Sequence, residues 1–154
     1  ITKSDGSKFG KTEDGNVWLD RKKTSPYKFY QYWLNSSDED SHKYIKIFTF
    51  ADKEFIEKLI KEHSKEPHLR KLQRFIAEEI TTMVHSKKDL QNVKNASLIL
   101  FGKNTKEDLS VIDENTFLDV FTGVPQKKLS KSDFNDCKTV EDLLDKSAFF
   151  NSKS

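Results

Sequence analysis

The sequence predicts a mainly α-helical chain: a compact bundle of about five main helices plus short ones, preceded by an irregular loop segment. Three observations predict it. Apolar residues between Tyr27 and Phe101 recur at i, i+3, i+4 and i+7, the spacing of one helix face. Residues suited to N-capping, Ser25, Ser37 and Asp52, stand at the heads of these runs. Gly6, Gly10 and Gly15, with Ser4, Asp5, Asp14 and Asn16, punctuate residues 1–16 too densely for regular structure.

In chain order, Val17-Trp18-Leu19 is a short apolar patch, readable as an edge strand or as an anchor. Ser25 then caps a helix with Pro26 at its first position, where a missing N–H costs nothing. Tyr27, Tyr30 and Leu34 form one stripe of it, Phe29 and Trp33 another. A second helix starts at Ser37, with Asp38, Glu39 and Asp40 in the turn where acids favour the helix dipole. Its apolar face is Tyr44, Ile45 and Phe48. The third, capped by Asp52, carries Phe55, Ile56, Leu59 and Ile60 and ends before Pro67. The fourth is the most periodic: Leu69, Leu72, Phe75, Ile76, Ile80, Met83 and Val84. A fifth runs from Lys87 to Phe101 through Leu90, Val93 and Leu98, with Gly102 placed to stop it. Shorter pieces follow at 113–121 and 139–147, where Thr139 and Asp142 form a capping-box pattern. Gly123, Pro125 and the Lys/Ser/Asp-rich residues after them read as a linker.

The 154 residues suffice for one compact domain plus a tail. Hydrophobic residues make up only 34%, equal to the charged share, so the core depends on 12 Phe, 4 Tyr and 2 Trp. Each aromatic buries on the order of 150–250 Å². The net charge of +2 argues against a polybasic protein, although the signs are segregated. Residues 1–35 carry seven Lys/Arg against four acids, while the stretch 103–120 is acidic. A local basic surface is compatible with a polyanion on one face, and equally with a solvated lysine face. The single cysteine, Cys137, rules out an internal disulfide framework and fits a reducing, cytoplasmic setting. No apolar run reaches membrane-spanning length, and no signal-peptide pattern is present. A chain opening on Ile1 has the look of a piece of a longer protein.

Residues 8–12, Lys-Phe-Gly-Lys-Thr, are the chemically interesting stretch. A P-loop fails because Gly6 and Gly10 have three residues between them where four are needed. A calcium loop fails because Phe9 and Asn16 occupy ligand positions. What remains is Lys8 and Lys11 around a Phe9-Gly10 hinge, followed by the hydroxyl of Thr12. The glycine permits rearrangement, the phenylalanine can dock the loop on an apolar patch, and the ammonium groups can follow phosphate charge. On spacing alone a solvated lysine loop fits as well.

The surroundings separate those readings. Residues 4–20, Ser-Asp-Gly-Ser-Lys-Phe-Gly-Lys-Thr-Glu-Asp-Gly-Asn-Val-Trp-Leu-Asp, and residues 23–35, Lys-Thr-Ser-Pro-Tyr-Lys-Phe-Tyr-Gln-Tyr-Trp-Leu-Asn, closely resemble bacterial-type tyrosyl-tRNA synthetases. In that family Lys-Phe-Gly-Lys-Thr/Ser is the local form of the class I signature written KMSKS. The resemblance continues through Phe48-Thr49-Phe50, Ala77-Glu78-Glu79, Val84-His85 and Leu98–Gly102. Tryptophanyl-tRNA synthetases share the architecture, but a Met-Ser core is expected in their loop.

The resemblance implies a division into residues 1–23, the KMSKS-type loop segment ending a missing Rossmann-like catalytic domain; 24–122, a helical anticodon-arm, tRNA-binding domain; and 123–154, a linker and the truncated start of a small C-terminal RNA-binding domain. Asp142-Leu143-Leu144-Asp145 through Phe149–Ser154 carries the last part. It implies that Lys8 and Lys11 engage ATP phosphates, Lys11 most directly, with Thr12 the closing hydroxyl. It further implies ATP as substrate, Mg2+ bound through its phosphates, tyrosine and tRNA(Tyr) as the other partners, and a homodimer formed through the missing catalytic domain. No HIGH-type motif or tyrosine pocket is recognisable here, so this piece is expected to be inactive alone, with residues 8–12 mobile. The alternative is a non-catalytic helical module that binds RNA or protein.

Other residues invite plainer readings. Tyr27, Phe29, Tyr30, Tyr32 and Trp33 read as core at their helical spacing rather than as base-stacking groups. His42, His63, His68 and His85 have no metal-ligand spacing with one another or with Cys137, and read as surface or capping residues. No metal site is expected. Arg70, Lys71 and Arg74, placed on the polar side of the fourth helix, are the best basic stripe for tRNA phosphates.

Overall fold

The computed structural model describes residues 1–12, 15–99, 112–122, 124 and 127–148, and the chain divides into two units, Ile1–Phe121 and Thr122–Ser154. In the first, helix α1 (Pro26–Leu34) starts where Ser25 leaves extended backbone and its hydroxyl accepts the Lys28 N–H. Helix α2 (Asp38–Phe48) is capped by Ser37, with Asp38, Glu39 and Asp40 in its first turn. Asp52 caps α3 (Lys53–Lys65) by accepting the Phe55 N–H at 2.8 Å.

The fourth helix departs from expectation. Pro67–Leu69 form a single 3-10 turn and Arg70 takes φ 51°, ψ 36°, so α4 runs from Lys71 to Val84. A non-glycine residue in the left-handed region is strained, and its surroundings must hold it there. Here the holding group is Arg70's own guanidinium. Nε and Nη2 donate to the Leu34 carbonyl at 3.2 and 2.6 Å, and Nη2 also donates to Ser36 at 3.0 Å. The Leu34 carbonyl ends α1, where helix geometry leaves acceptors unpaired, and Ser36 lies just beyond the C-cap Asn35. Arg70 is therefore not on the polar face of α4; it is the brace between α4 and the α1–α2 turn. Leu69, with the left-handed residue between it and α4, drops off the apolar stripe and is 39% exposed.

Helix α5 (Lys87–Ile99) begins at Ser86, whose hydroxyl accepts the Asp89 N–H and donates to the Asp89 carboxylate. Its expected end at Phe101 and Gly102 lies outside the described residues. Asp113 caps α6 (Glu114–Val120). Helix α4 is the hub, packed against α1, α2, α3 and α5, while α6 meets α1 and α5. Leu72, Ile76 and Ala77 of α4 are fully buried among Phe29, Trp33, Tyr44, Ile45, Val93 and Ala96. A large apolar side chain contributes about 1.5–3 kcal/mol on such burial. Tyr27, Phe29, Tyr30 and Trp33 all belong to this core, in agreement with their helical spacing.

The second unit holds α7 (Lys131–Asp136) and α8 (Val140–Lys146). The α8 capping box forms as expected: the Thr139 hydroxyl accepts from Asp142 N–H, and the Asp142 carboxylate accepts from Thr139 N–H. Helix α7 lies in the stretch expected to be linker. Its start is local, Ser130 accepting the Asp133 N–H at 3.0 Å, and Lys146 of α8 reaches back to the Asp133 carbonyl. Gly123, Pro125 and Phe149–Ser154 lie outside the described residues.

Candidate functional site

Residues 1–12, expected as irregular loop, form a compact double turn. Lys3 N–H donates to the Ser7 carbonyl, Thr2 pairs with Lys8, and Phe9 N–H donates to Ile1. The Asp5 carboxylate, accepting the Ser7 N–H at 2.8 Å, closes the turn, and hydrogen bonds from Ser7 hold its carboxyl below the usual range. Gly6 and Gly10 have φ of 81° and 78°, and nothing lies within 4 Å of a Cβ built on either. The need for glycine there is conformational rather than steric. After Gly10 a two-residue ladder, β1 (Lys11–Thr12) and β2 (Gly15–Asn16), pairs Lys11 with Asn16 and Thr12 with Gly15. The chain then leaves the ladder: Val17 N–H donates to the Gly10 carbonyl and Val17 packs on the core, while Trp18 and Leu19 are exposed. Val17 is thus the anchor of that patch, and no strand forms over 17–19. Trp18 carries the Lys23 ammonium 4.2 Å above its ring.

Aromatic packing and backbone hydrogen bonds seat the loop on α1 and α2. The Phe9 ring enters an aromatic box, stacked on Phe48 at 4.9 Å and tilted or edge-on to Tyr44 (5.2 Å), Trp33 (5.5 Å) and Tyr32 (5.9 Å). Offset and edge contacts of this kind add about 0.5–1.5 kcal/mol per pair to simple burial. Gly10 N–H donates to the Tyr32 hydroxyl at 3.0 Å. Ser4 N–H donates to the buried Asp40 carboxylate at 2.7 Å. Burial pushes the Tyr32 hydroxyl up from its ordinary value, and Tyr44 beneath it further still, with the Asp40 charge adding to both. Both phenols are neutral at pH 7.

Anchoring by Phe9 and Gly10 leaves the flanking cations free. Lys8 and Lys11 are exposed, and neither ammonium has an ion-pair partner among the described residues. The Lys11 carbonyl accepts from Lys3 Nζ at 3.1 Å, which brings a third cation to the loop. The structure thus places Lys8 and Lys11 on one docked loop with uncommitted charge, an arrangement suited to a polyphosphate. Thr12 is present through its backbone pairing in β1; the position of its hydroxyl lies outside the described residues.

The basic stripe is not one surface. Arg70 is spent on carbonyls, and Lys71 pairs with Glu66 at 3.0 Å. Only Arg74 is exposed with no ion pair among the described residues. Among the histidines, exposed His68 and the α4 C-cap His85 match expectation, and His63 does not. His63 is buried, 1% exposed, and its Nε2 lies 2.8 Å from Asp38. Asp38 also accepts from Gln73 Nε2 at 2.5 Å, and Gln73, then His63, hold its carboxyl below the usual range. This buried link joins α2, α3 and α4; it is neither surface nor cap. His85, at the end of α4, stands edge-on to Phe29 at 4.9 Å. Among the described residues no three His, Cys, Asp or Glu side chains are grouped to hold a metal ion, and no helix is long and apolar enough to cross a membrane. A concavity lined by Lys46, Ala51, Lys53, Ile56, Glu57, Ile60 and Lys61 contains none of the candidate residues.

Sequence reasoning missed Tyr32 and Asp40 as partners of the loop. Tyr32 had a signal: it lies off both apolar stripes of α1, so its polar tip was available for another task.

Comparison with known proteins adds an independent line. A family model described as tRNA synthetases class I (W and Y) matches residues 1–102. The tyrosine–tRNA ligase of Flavobacterium johnsoniae is 59% identical over 153 residues, covering 99% of this chain and 36% of that protein. That of Bacteroides thetaiotaomicron is 54% identical over 154 residues, again 99% and 36%. The chain therefore spans little more than a third of the length of these curated relatives. Among solved structures, a C-terminally truncated Aspergillus nidulans mitochondrial tyrosyl-tRNA synthetase superposes with a TM-score of 0.53 at 30% identity, covering 56% of this chain and 25% of that one.

Proposed function

The chain belongs to the class I tRNA synthetases (W and Y), and we propose that it is the loop-and-helix portion of a cytoplasmic tyrosine–tRNA ligase. The observation that carries this reading is the docked Lys-Phe-Gly-Lys-Thr loop. Its aromatic and glycine hold the backbone to the helices while Lys8 and Lys11 remain uncommitted. In the reaction so assigned, a tyrosine carboxylate oxygen attacks the α-phosphorus of ATP. The bond from that phosphorus to the oxygen bridging to the β-phosphate breaks, and its electron pair leaves with pyrophosphate. Lys8 and Lys11 balance the charge that moves onto the leaving group, and Thr12 closes the motif. Mg2+ travels with the nucleotide, held by its phosphates.

Residues 1–23 are read as the end of a nucleotide-binding domain, 24–122 as the helical tRNA-binding domain, and 123–154 as a linker and the start of a further RNA-binding domain. Of the basic residues near α4, Arg74 is the best placed to meet tRNA phosphate, Lys71 after exchange from Glu66. Arg70 contributes by holding the turn. The homodimer is assigned to the portion beyond this chain.

The test is tyrosine-dependent ATP–pyrophosphate exchange by the full-length protein carrying this chain. Lys11→Ala is expected to lower the rate by about 100-fold, the usual scale for one transition-state electrostatic contact. A rate near that of the unaltered protein removes Lys11 from the chemistry.

A further inference from the structure

We propose that Tyr32 is a positioning residue for the lysine pair: its hydroxyl fixes Gly10, between Lys8 and Lys11, and so sets where the two ammonium groups can go. This rests on the reading of Lys8 and Lys11 as phosphate ligands. Gly10 is held on both its backbone groups. Its N–H donates to Tyr32 at 3.0 Å and its carbonyl accepts the Val17 N–H at 2.8 Å. With φ 78° Gly10 occupies a region that glycine enters and leaves freely, so an external bond is what selects this conformation. Tyr32 is well fitted to supply it. Its ring is edge-on to Trp33 at 5.5 Å and to Phe9 at 5.9 Å, on a helix capped at both ends.

The chemical type matters as much as the position. A neutral phenol accepts one backbone N–H and brings no charge. A carboxylate at the same place would draw the neighbouring ammonium groups away from a phosphate. The tether is also local: it constrains the residue before Lys11 while the Lys11 side chain stays exposed. Pre-organising a charged group in this way raises the rate of the step in which its charge is used, without changing affinity for the partner it does not touch.

Tyr32→Phe in the full-length protein keeps the ring contacts and removes the hydroxyl. In ATP–pyrophosphate exchange the expected result is a kcat lower by about 10-fold, with KM for tyrosine within about 2-fold and the thermal midpoint within about 2 °C. In a background carrying both Lys8→Ala and Lys11→Ala the same change should cost less than about 2-fold, because both groups being positioned are gone. Equal losses in both backgrounds, a kcat within 2-fold in the single variant, or a thermal midpoint that falls along with kcat would each overturn the proposal. The parent reading is checked separately: Lys11→Ala at near-native rate overturns both, whereas a crippled Lys11→Ala beside a silent Tyr32→Phe overturns only the role of Tyr32.

Discussion

Two basic segments, the loop at 8–12 and the row at 70–74, read alike as anion sites, and the structure uses them in opposite ways. In the loop, uncharged groups make the anchorage: the Phe9 ring, Gly10 N–H and Ser4 N–H hold the backbone, and Lys8 and Lys11 are left exposed. At the head of α4 a cation is the anchor. Arg70 bonds to two carbonyls at and just beyond the end of α1 and in doing so stabilises its own left-handed backbone. A planar guanidinium with several fixed donors suits that task; a lysine would not. The lesson is that a run of basic residues keeps its charge available only where something other than the cations supports the chain.

The contrast can be broken at several points. The largest effect is expected for Lys11→Ala, which should cost about 100-fold in exchange but less than about 0.5 kcal/mol in urea unfolding, since its exposed ammonium has no ion pair among the described residues. Arg70→Ala should behave in reverse. Urea unfolding should show a loss of about 2–3 kcal/mol, because the Leu34 carbonyl is left without a donor and the Ser36 carbonyl keeps only the long bond from Gln73, and Arg70→Lys should not restore it. A comparable loss in Lys11→Ala would erase the distinction. Phe9→Ala lies between, with about 2 kcal/mol lost because the ring is partly rather than fully buried.

Acid should weaken the α2–α3–α4 side. Asp38, beside His63, Gln73 and Arg70, titrates below its ordinary 3.8, so the stability it contributes is present above pH 3.8 and is lost as pH falls through the lower folded-state value. His85 is also lowered from 6.5, by burial first, with Arg21 adding and Asp89 opposing. The fold prefers its neutral form, so stability is full above pH 6.5 and declines as pH drops below it. Urea midpoints from pH 7.5 to 3 should show both losses, and Asp38→Asn should remove the lower one. The smallest effect is expected for Arg74→Ala: stability within about 0.5 kcal/mol, and a salt dependence of tRNA binding shallower by about one unit of log–log slope.

Much of the helical unit is legible from residues that act on their near neighbours. Ser25, Ser37 and Asp52 each accept the N–H three residues on, and Thr139 with Asp142 completes a reciprocal pair, so a few letters suffice to place those starts. Helix α7 follows the same rule through Ser130 and Asp133. Its six residues lack an apolar stripe, so periodicity does not reveal it. The candidate loop is legible in part: the docking of Phe9 on an apolar patch is inferable from its residue type, but the partners Tyr32 and Asp40 are not.

What the amino-acid order determines alone is therefore local and periodic: where helices begin, which faces are apolar, and that two lysines flank a Phe-Gly hinge. The folded chain decides what each polar group is bonded to across 20 to 40 residues. It makes His63 a buried link, Arg70 a brace and Tyr32 the tether of the loop. Such contacts depend on how α1, α2, α3 and α4 pack, and no spacing rule encodes that, because a hydrogen bond between distant residues exists only once the helices bearing them have come together.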